Sequence, residues 1–163
     1  RQTDDKRGEV QTLTLMADSA LHGGEPSRAA GLYAESLSIC QATGDRTMIA
    51  NAALFERVSA LALVTEQPSA AARLLGSGDA LREELGAPIH SYLRPVRDRC
   101  LDQLRFKVRN VMVNEAIGEG HALSPDAAIR EALVLCERIQ TGQVDDGMEI
   151  ASVASDVITL ASV

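Results

Sequence analysis

Residues Ser69 to Pro88 read SAAARLLGSGDALREELGAP, and the central Gly76-Ser77-Gly78 has the residue types of a phosphate-binding turn. Such a turn needs its glycines between a strand and a helix, so that backbone N–H groups converge on the anion. Here Leu74 and Leu75 precede the glycines, and Ala80, Leu81 and Leu85 follow in unbroken helical register. No strand pattern leads in and no Lys-Ser or Lys-Thr pair follows. The glycines are therefore expected inside a helix, as small residues that let a neighbouring helix come close. That role costs about 1 kcal/mol of helix propensity per glycine.

Other reactive residue types are scattered. The three histidines, His22, His90 and His121, lack an HExxH or comparable ligand spacing, which argues against a metal site. His22 and His121 stand where a helix ends, and an imidazole there can meet the terminal carbonyls. No GxSxG elbow marks a nucleophilic serine. The acid pairs Asp4–Asp5, Glu83–Glu84 and Asp145–Asp146 read as solvated turns or helix faces, and Arg94, Arg97 and Asp98 of RPVRDR as an exposed helical face. No catalytic residue, metal ligand or cofactor is expected. The three cysteines, Cys40, Cys100 and Cys136, are odd in number and contain no CxxC pair. They read as reduced, buried thiols of a cytoplasmic protein.

The elements that carry these residues repeat. With an offset of 42 residues, Pro26 aligns with Pro68, Ser27 with Ser69, Ala29 with Ala71, Ala30 with Ala72, Leu32 with Leu74 and Gly44 with Gly86. Upstream, Leu13 pairs with Phe55, Met16 with Val58, Ala17 with Ser59, Ala20 with Ala62 and Leu21 with Leu63, one helical stripe occurring twice. Two antiparallel hairpins follow: residues 9–22 with 26–43, then 46–66 with 68–85. The prolines suit first helical turns and the glycines the left-handed position past a helix end, with Asp45 capping the next helix.

APIHSY is a connector. Beyond it, Val96, Cys100, Leu101, Leu104, Val108, Val111, Met112, Glu115 and Ala116 form a mostly apolar stripe on one long helix, or on two broken near Lys107 to Asn110. Ser124 and Pro125 open a further helix with Ala128, Ile129, Ala132, Leu133, Leu135 and Cys136 on its buried face. TGQVDDG is a polar break. After it, Ile150, Val153, Ala154, Val157, Leu160 and Ala161 recur at helical spacing and suggest a final helix. Residues 1–8 are expected as a flexible end, 9–87 as two repeats, 88–140 as a helical cap, and 141–163 as linker plus final helix.

Composition fits this all-α reading. The 163 residues are 45% apolar and 24% charged, enough for a core of their own. A net charge of -7 and an aromatic content of 2% disfavour nucleic acid, which needs cationic and stacking surfaces. No run approaches the ~18 apolar residues that span a bilayer. A chain starting at Arg1 rather than Met reads as a piece of a longer protein.

AARLLGSGDALREELGAP (Ala71 to Pro88) and EGHALSPDAAIREAL (Glu119 to Leu133) resemble the C-terminal helical-repeat region of bacterial STAND or MalT-like signalling ATPases and LuxR-type transcription factors. GEPSRAAGLYAESLSICQATGDRTMIANAAL (Gly24 to Leu54) is similar to the tetratricopeptide-like repeats that precede it, so the likeness covers about Glu9 to Arg138. In that pattern Phe55, Val58, Ser59 and Ala62 hold first-helix positions, and Ala71, Leu75 and Gly78 second-helix ones. The 42-residue unit is longer than the usual ~34. Ser59 stands where glycine is common, and Val113 and Ile117 where aromatics are expected.

The resemblance implies helical hairpins in a short right-handed superhelix with C-terminal capping helices. It also implies a non-enzymatic role in protein or interdomain contacts of a regulator, the alternative being a sensor of a small-molecule effector. In such stacks the first helix of each pair lines the concave face. Asn51, Glu56 and Arg57, with Asp18 in the earlier helix, are accordingly the candidates for partner contact. Residues 149–163, if uncovered, offer a stripe for self-association as a homodimer.

Overall fold

A computed structural model describes residues 1–51 and 53–143, without the side chain of Asn51. Among the described residues there are eight helices and no strand: α1 (Gln2–His22), α2 (Pro26–Thr43), α3 (Arg46–Asn51), α4 (Leu54–Val64), α5 (Pro68–Leu85), α6 (Arg94–Lys107), α7 (Asn110–His121) and α8 (Pro125–Thr141). The final helix expected within 149–163 lies outside the described residues. Residues 1–8, expected as a flexible end, are helical from Gln2.

The 42-residue repeat is present in the backbone. In the α1–α2 turn the Gly23, Gly24 and Glu25 amides donate to Ser19, Leu21 and Ala20. In the α4–α5 turn the Thr65, Glu66 and Gln67 amides donate to Leu61, Leu63 and Ala62. Gly24 and Glu66, the equivalent residues, both take a positive φ, 76° and 58°. Pro26 and Pro68 occupy first turns, and Gly44 and Gly86 close α2 and α5 in the left-handed conformation. Asp45 accepts from the Thr47 amide at 2.9 Å, the cap anticipated for the next helix. The Ser124 hydroxyl caps α8 through the Ala127 amide.

Two continuous stripes are broken. The helix expected over 46–66 is interrupted at Ala53, which is left-handed at φ 46° and fully buried, so α3 and α4 are separate. The long stripe after Gly86 divides at Val108 and Arg109, both extended, into α6 and α7. Val111, expected on the buried side, is consequently exposed. In α1 the buried side is Val10, Thr14, Ala17 and Ala20, rotated from the expected stripe so that Met16 faces solvent.

α4 is the hub, touching α1, α2, α3, α5, α6 and α8. Leu54, Phe55, Val58, Leu61, Ala62 and Leu63 leave almost none of its surface wet. Beyond the second hairpin the helices do not continue in a row. α6 lies against α4 and α5, α7 packs mainly on α5, and α8 returns to lie along α2. There the Ser27 hydroxyl donates to the Ile139 carbonyl, and Gly31 leaves room for the Gln140 amide. No helix among the described residues is long and apolar enough to cross a membrane.

Candidate functional site

The glycines of the Gly76-Ser77-Gly78 stretch lie inside α5, where they accommodate neighbours and form no anion cradle. A side chain at Gly76 would collide with the α7 backbone at Ile117 and His121, and one at Gly120 with the α5 backbone at Arg73. The two helices therefore cross backbone to backbone, and the Ser77 hydroxyl seals the contact by donating to the Gly120 carbonyl at 3.0 Å. Gly78 has a different neighbour, the Glu56 carboxylate.

That placement corrects the expected orientation of Glu56. Its side chain is 2% exposed and pairs with Arg82 at 2.5 Å, so it points into the α4–α5 interface and not toward a concave surface. Burial pushes its carboxyl up, against the pull of the Arg82 guanidinium. Arg57 and Asp18, 13% and 29% exposed, pair with each other at 3.2 Å. The Tyr33 hydroxyl also donates to Asp18 at 2.5 Å, so α1, α2 and α4 are tied together. Burial, then Asp18, pushes the Tyr33 hydroxyl up. Two α4 candidates thus act as internal ties, because a hub helix has no free face on which to display a charge. The side chain of Asn51 lies outside the described residues.

The remaining polar groups are dispersed. His22 Nδ1 lies 2.7 Å from the Asp18 carbonyl, as expected for a helix end, whereas His121 Nε2 lies 2.9 Å from Glu83 in place of a terminal carbonyl. His90 stacks on Tyr92. Arg94 and Asp98 are exposed. Arg97 is not a free surface charge, since it grips Asp79 of α5 through Nε at 3.2 Å and Nη2 at 2.5 Å. Among the described residues no three His, Cys, Asp or Glu side chains converge as a metal site would require. Cys40, Cys100 and Cys136 are buried and unbridged, and burial pushes each thiol up to about 12.

A concavity lies elsewhere, between α5 and α8. It is an open groove of about 610 Å³ lined by Ser69, Ala70, Arg73, Leu74, Ala127, Arg130, Glu131, Val134, Leu135 and Arg138. Arg73 bridges the two helices. It binds Glu131 through Nη2 at 2.7 Å and Nε at 3.0 Å and also pairs with Glu119. Glu131 first, then Glu119, holds that guanidinium above its ordinary value. Arg130 and Arg138 have no carboxylate paired to them among the described residues, and Val134 between them is 46% exposed. The lining carries three arginines against one glutamate, in a chain of net charge -7.

Periodicity found the buried face of α8 but not this outer one. Arg130, Val134 and Arg138 follow each other at i, i+4 and i+8, a surface row that becomes visible once the buried row is assigned. A second, smaller cleft of about 390 Å³ at the end of α5 has Asp79, Arg82 and Arg97 in its wall, all engaged in ion pairs. Compared with known proteins, the chain matches no family model, no curated protein and no solved structure.

Proposed function

We propose that this chain is a non-enzymatic helical-repeat module of a larger bacterial regulatory protein, of the tetratricopeptide-like kind associated with STAND and LuxR-type regulators. Its work is recognition: the α5–α8 groove receives an acidic helix with one apolar face, from a protein partner or from another domain of the parent. The observation that carries this is the combination in one groove of an apolar floor, Ala70, Leu74 and Leu135, with Arg130 and Arg138 on its α8 side, neither paired to a carboxylate among the described residues. An amphipathic helix laid there buries its apolar side chains on the floor and meets Arg130 and Arg138 with its acids. Complementary charge of this kind governs encounter rate and choice of partner more than affinity. The repeated hairpin turn supports the helical-repeat part of the reading. Raised thiol pKa values and dispersed histidines support recognition over chemistry.

The test compares proteins retained from a bacterial extract by the immobilised chain and by its Arg130→Glu/Arg138→Glu variant, with circular dichroism confirming equal helicity. A retained protein that elutes with salt and is missing from the variant supports the reading. Identical retained sets would remove the groove from it.

A further inference from the structure

We infer that the outer face of α1 is a docking surface for a further helical hairpin of the same repeat, seated on α1 as the α1–α2 hairpin is seated on α4. The surface is separate from the α5–α8 groove, to which α1 contributes no residue, and follows from the 42-residue repeat.

At that offset Thr12, Met16 and Ser19 correspond to Leu54, Val58 and Leu61, one row at i, i+4 and i+7 in each first helix. The α4 row is fully buried, whereas Thr12 and Ser19 are exposed and Met16 is 45% exposed. The neighbours differ in the same way. Among the described residues α4 meets its own partner α5 and also α1 and α2, the hairpin before it, while α1 meets α2 chiefly and α4 to a lesser extent. Arg57 marks the side of α4 turned to the preceding hairpin, since it pairs with Asp18 of α1 at 3.2 Å. Leu54 and Leu61, three before and four after it, are its neighbours on the helix surface. Leu15, with Thr12 and Ser19 beside it, is the same side of α1 without the neighbour.

This face is suited to being covered. The Thr12 hydroxyl already donates to the Gly8 carbonyl at 2.9 Å, so burying it strands no donor. Leu15, 64% exposed, stands where α4 carries Arg57. An apolar side chain there calls for an apolar residue at the Asp18 position of the incoming first helix, because a buried carboxylate opposite leucine would have no partner. In the second unit of this chain that position is Ala60. The second helices α2 and α5 are both rich in alanine, serine and glycine, and a helix of that kind can come close to Thr12 and Ser19. The occupant is accordingly a hairpin with small residues on its second helix and an apolar residue at the Asp18 position, nearer in type to the second unit than to the first.

The experiment uses the full chain with Ser19→Cys, a reactive reporter on this face, since the three native thiols are buried. A copy of residues 45–86, which contains no cysteine, is inserted ahead of Thr3 so that the 42-residue register continues. Circular dichroism verifies the added helix. The expected result is modification by a bulky maleimide slower by about tenfold or more in the extended chain, as set by opening of the docked hairpin. Ala60→Asp within the copy should return much of the lost reactivity. Met16→Asp should change the denaturant midpoint of the unextended chain little, because the side chain is largely in water, and should lower that of the extended chain. A second extended chain guards against a copy that folds poorly. It carries residues 3–44, with Cys40→Ala in the copy, and Leu15→Arg in the receiving helix, which restores the pairing that Arg57 makes with Asp18. A thiol that reacts as fast in both extended chains as in the unextended one would overturn the proposal. Protection of the unextended chain that grows with protein concentration would also overturn it, by assigning the face to a second copy. Neither insertion alters Arg130 or Arg138, so the retention test of the groove stands or falls separately.

Discussion

At the scale of single residues, the informative case is a charge in the wrong place for a surface. Glu56 is buried against Gly78, and its partner Arg82 is held almost as tightly, its Nε having no hydrogen bond among the described residues. A buried ion pair adds little net stability, but removing one member strands the other charge in a poor solvent. Glu56→Ala is therefore expected to cost about 3–5 kcal/mol by denaturant unfolding. Glu56→Ala/Arg82→Ala should fall short of the sum of its singles by about 1–3 kcal/mol, and strict additivity would show the pair to be uncoupled. Asp45 lies at the opposite extreme, near the surface. The Arg7 guanidinium, and then the Thr47 amide, hold its carboxyl below the usual range. A depressed native pKa supplies stability that is complete above the unfolded value and is lost as pH falls through the native one. Asp45→Asn should accordingly lie below the parent in denaturant midpoint at neutral pH and converge with it in acid. A gap that persists at low pH would assign the effect to the cap geometry and not to the charge.

Between helices, three glycines of similar sequence context have different roles, and geometry assigns them. Gly76 and Gly120 sit where α5 and α7 touch through their backbones, whereas Gly118, two residues before Gly120, faces open space. Gly118→Ala should stabilise by up to about 1 kcal/mol, the helix-propensity gain alone. Gly76→Ala and Gly120→Ala gain the same propensity but must push two backbones apart, so a net loss of about 1–3 kcal/mol is expected in thermal or denaturant unfolding. Stabilisation at either would refute the close crossing. The sequence revealed half of this contact, because Gly76 interrupts an apolar helical pattern, while Gly120 lies in a helix end where glycine is unremarkable. Caps were similarly legible. Pro26, Pro68, Gly44, Gly86 and Ser124 each have a backbone reason tied to one residue type. The break at Ala53 was not legible, since alanine carries no signal for a positive φ. Nor could periodicity show that α4 is enclosed on every side, which is why Glu56 and Arg57 read as groove residues. On α8 the buried row was visible and the arginine row behind it went unnoticed, because exposed charges look alike until a concave neighbour is placed beside them.

For the molecule as a whole, the return of α8 to α2 divides the packing unevenly. α2 and α8 share one of the largest interfaces, and between them they hold Cys40 and Cys136. α6 has a thinner attachment. Cys100, Leu104 and Lys107 are its buried residues, and Phe106 near its end is exposed. Such differences set local opening energies, which range from near zero at weakly packed elements to the full unfolding free energy in the core. The three native thiols can measure them, because each is buried and pushed up to about 12, so at neutral pH reaction waits on opening and exposure. In native buffer Cys100 should react first with an aromatic disulfide reagent, and Cys40 and Cys136 later with a common rate, as resolved by mass spectrometry of digested time points. If instead all three react together, the helices open as one cooperative unit and α6 is as firmly held as the rest. Early reaction at Cys136 alone would place the weak point at the α2–α8 interface and contradict the return of α8 as a structural closure. The expected order also bears on the proposed recognition, since packing on α2 holds the helix that carries Arg130 and Arg138 along the groove. For a partner bound as proposed, the binding free energy then need not include the cost of ordering that helix.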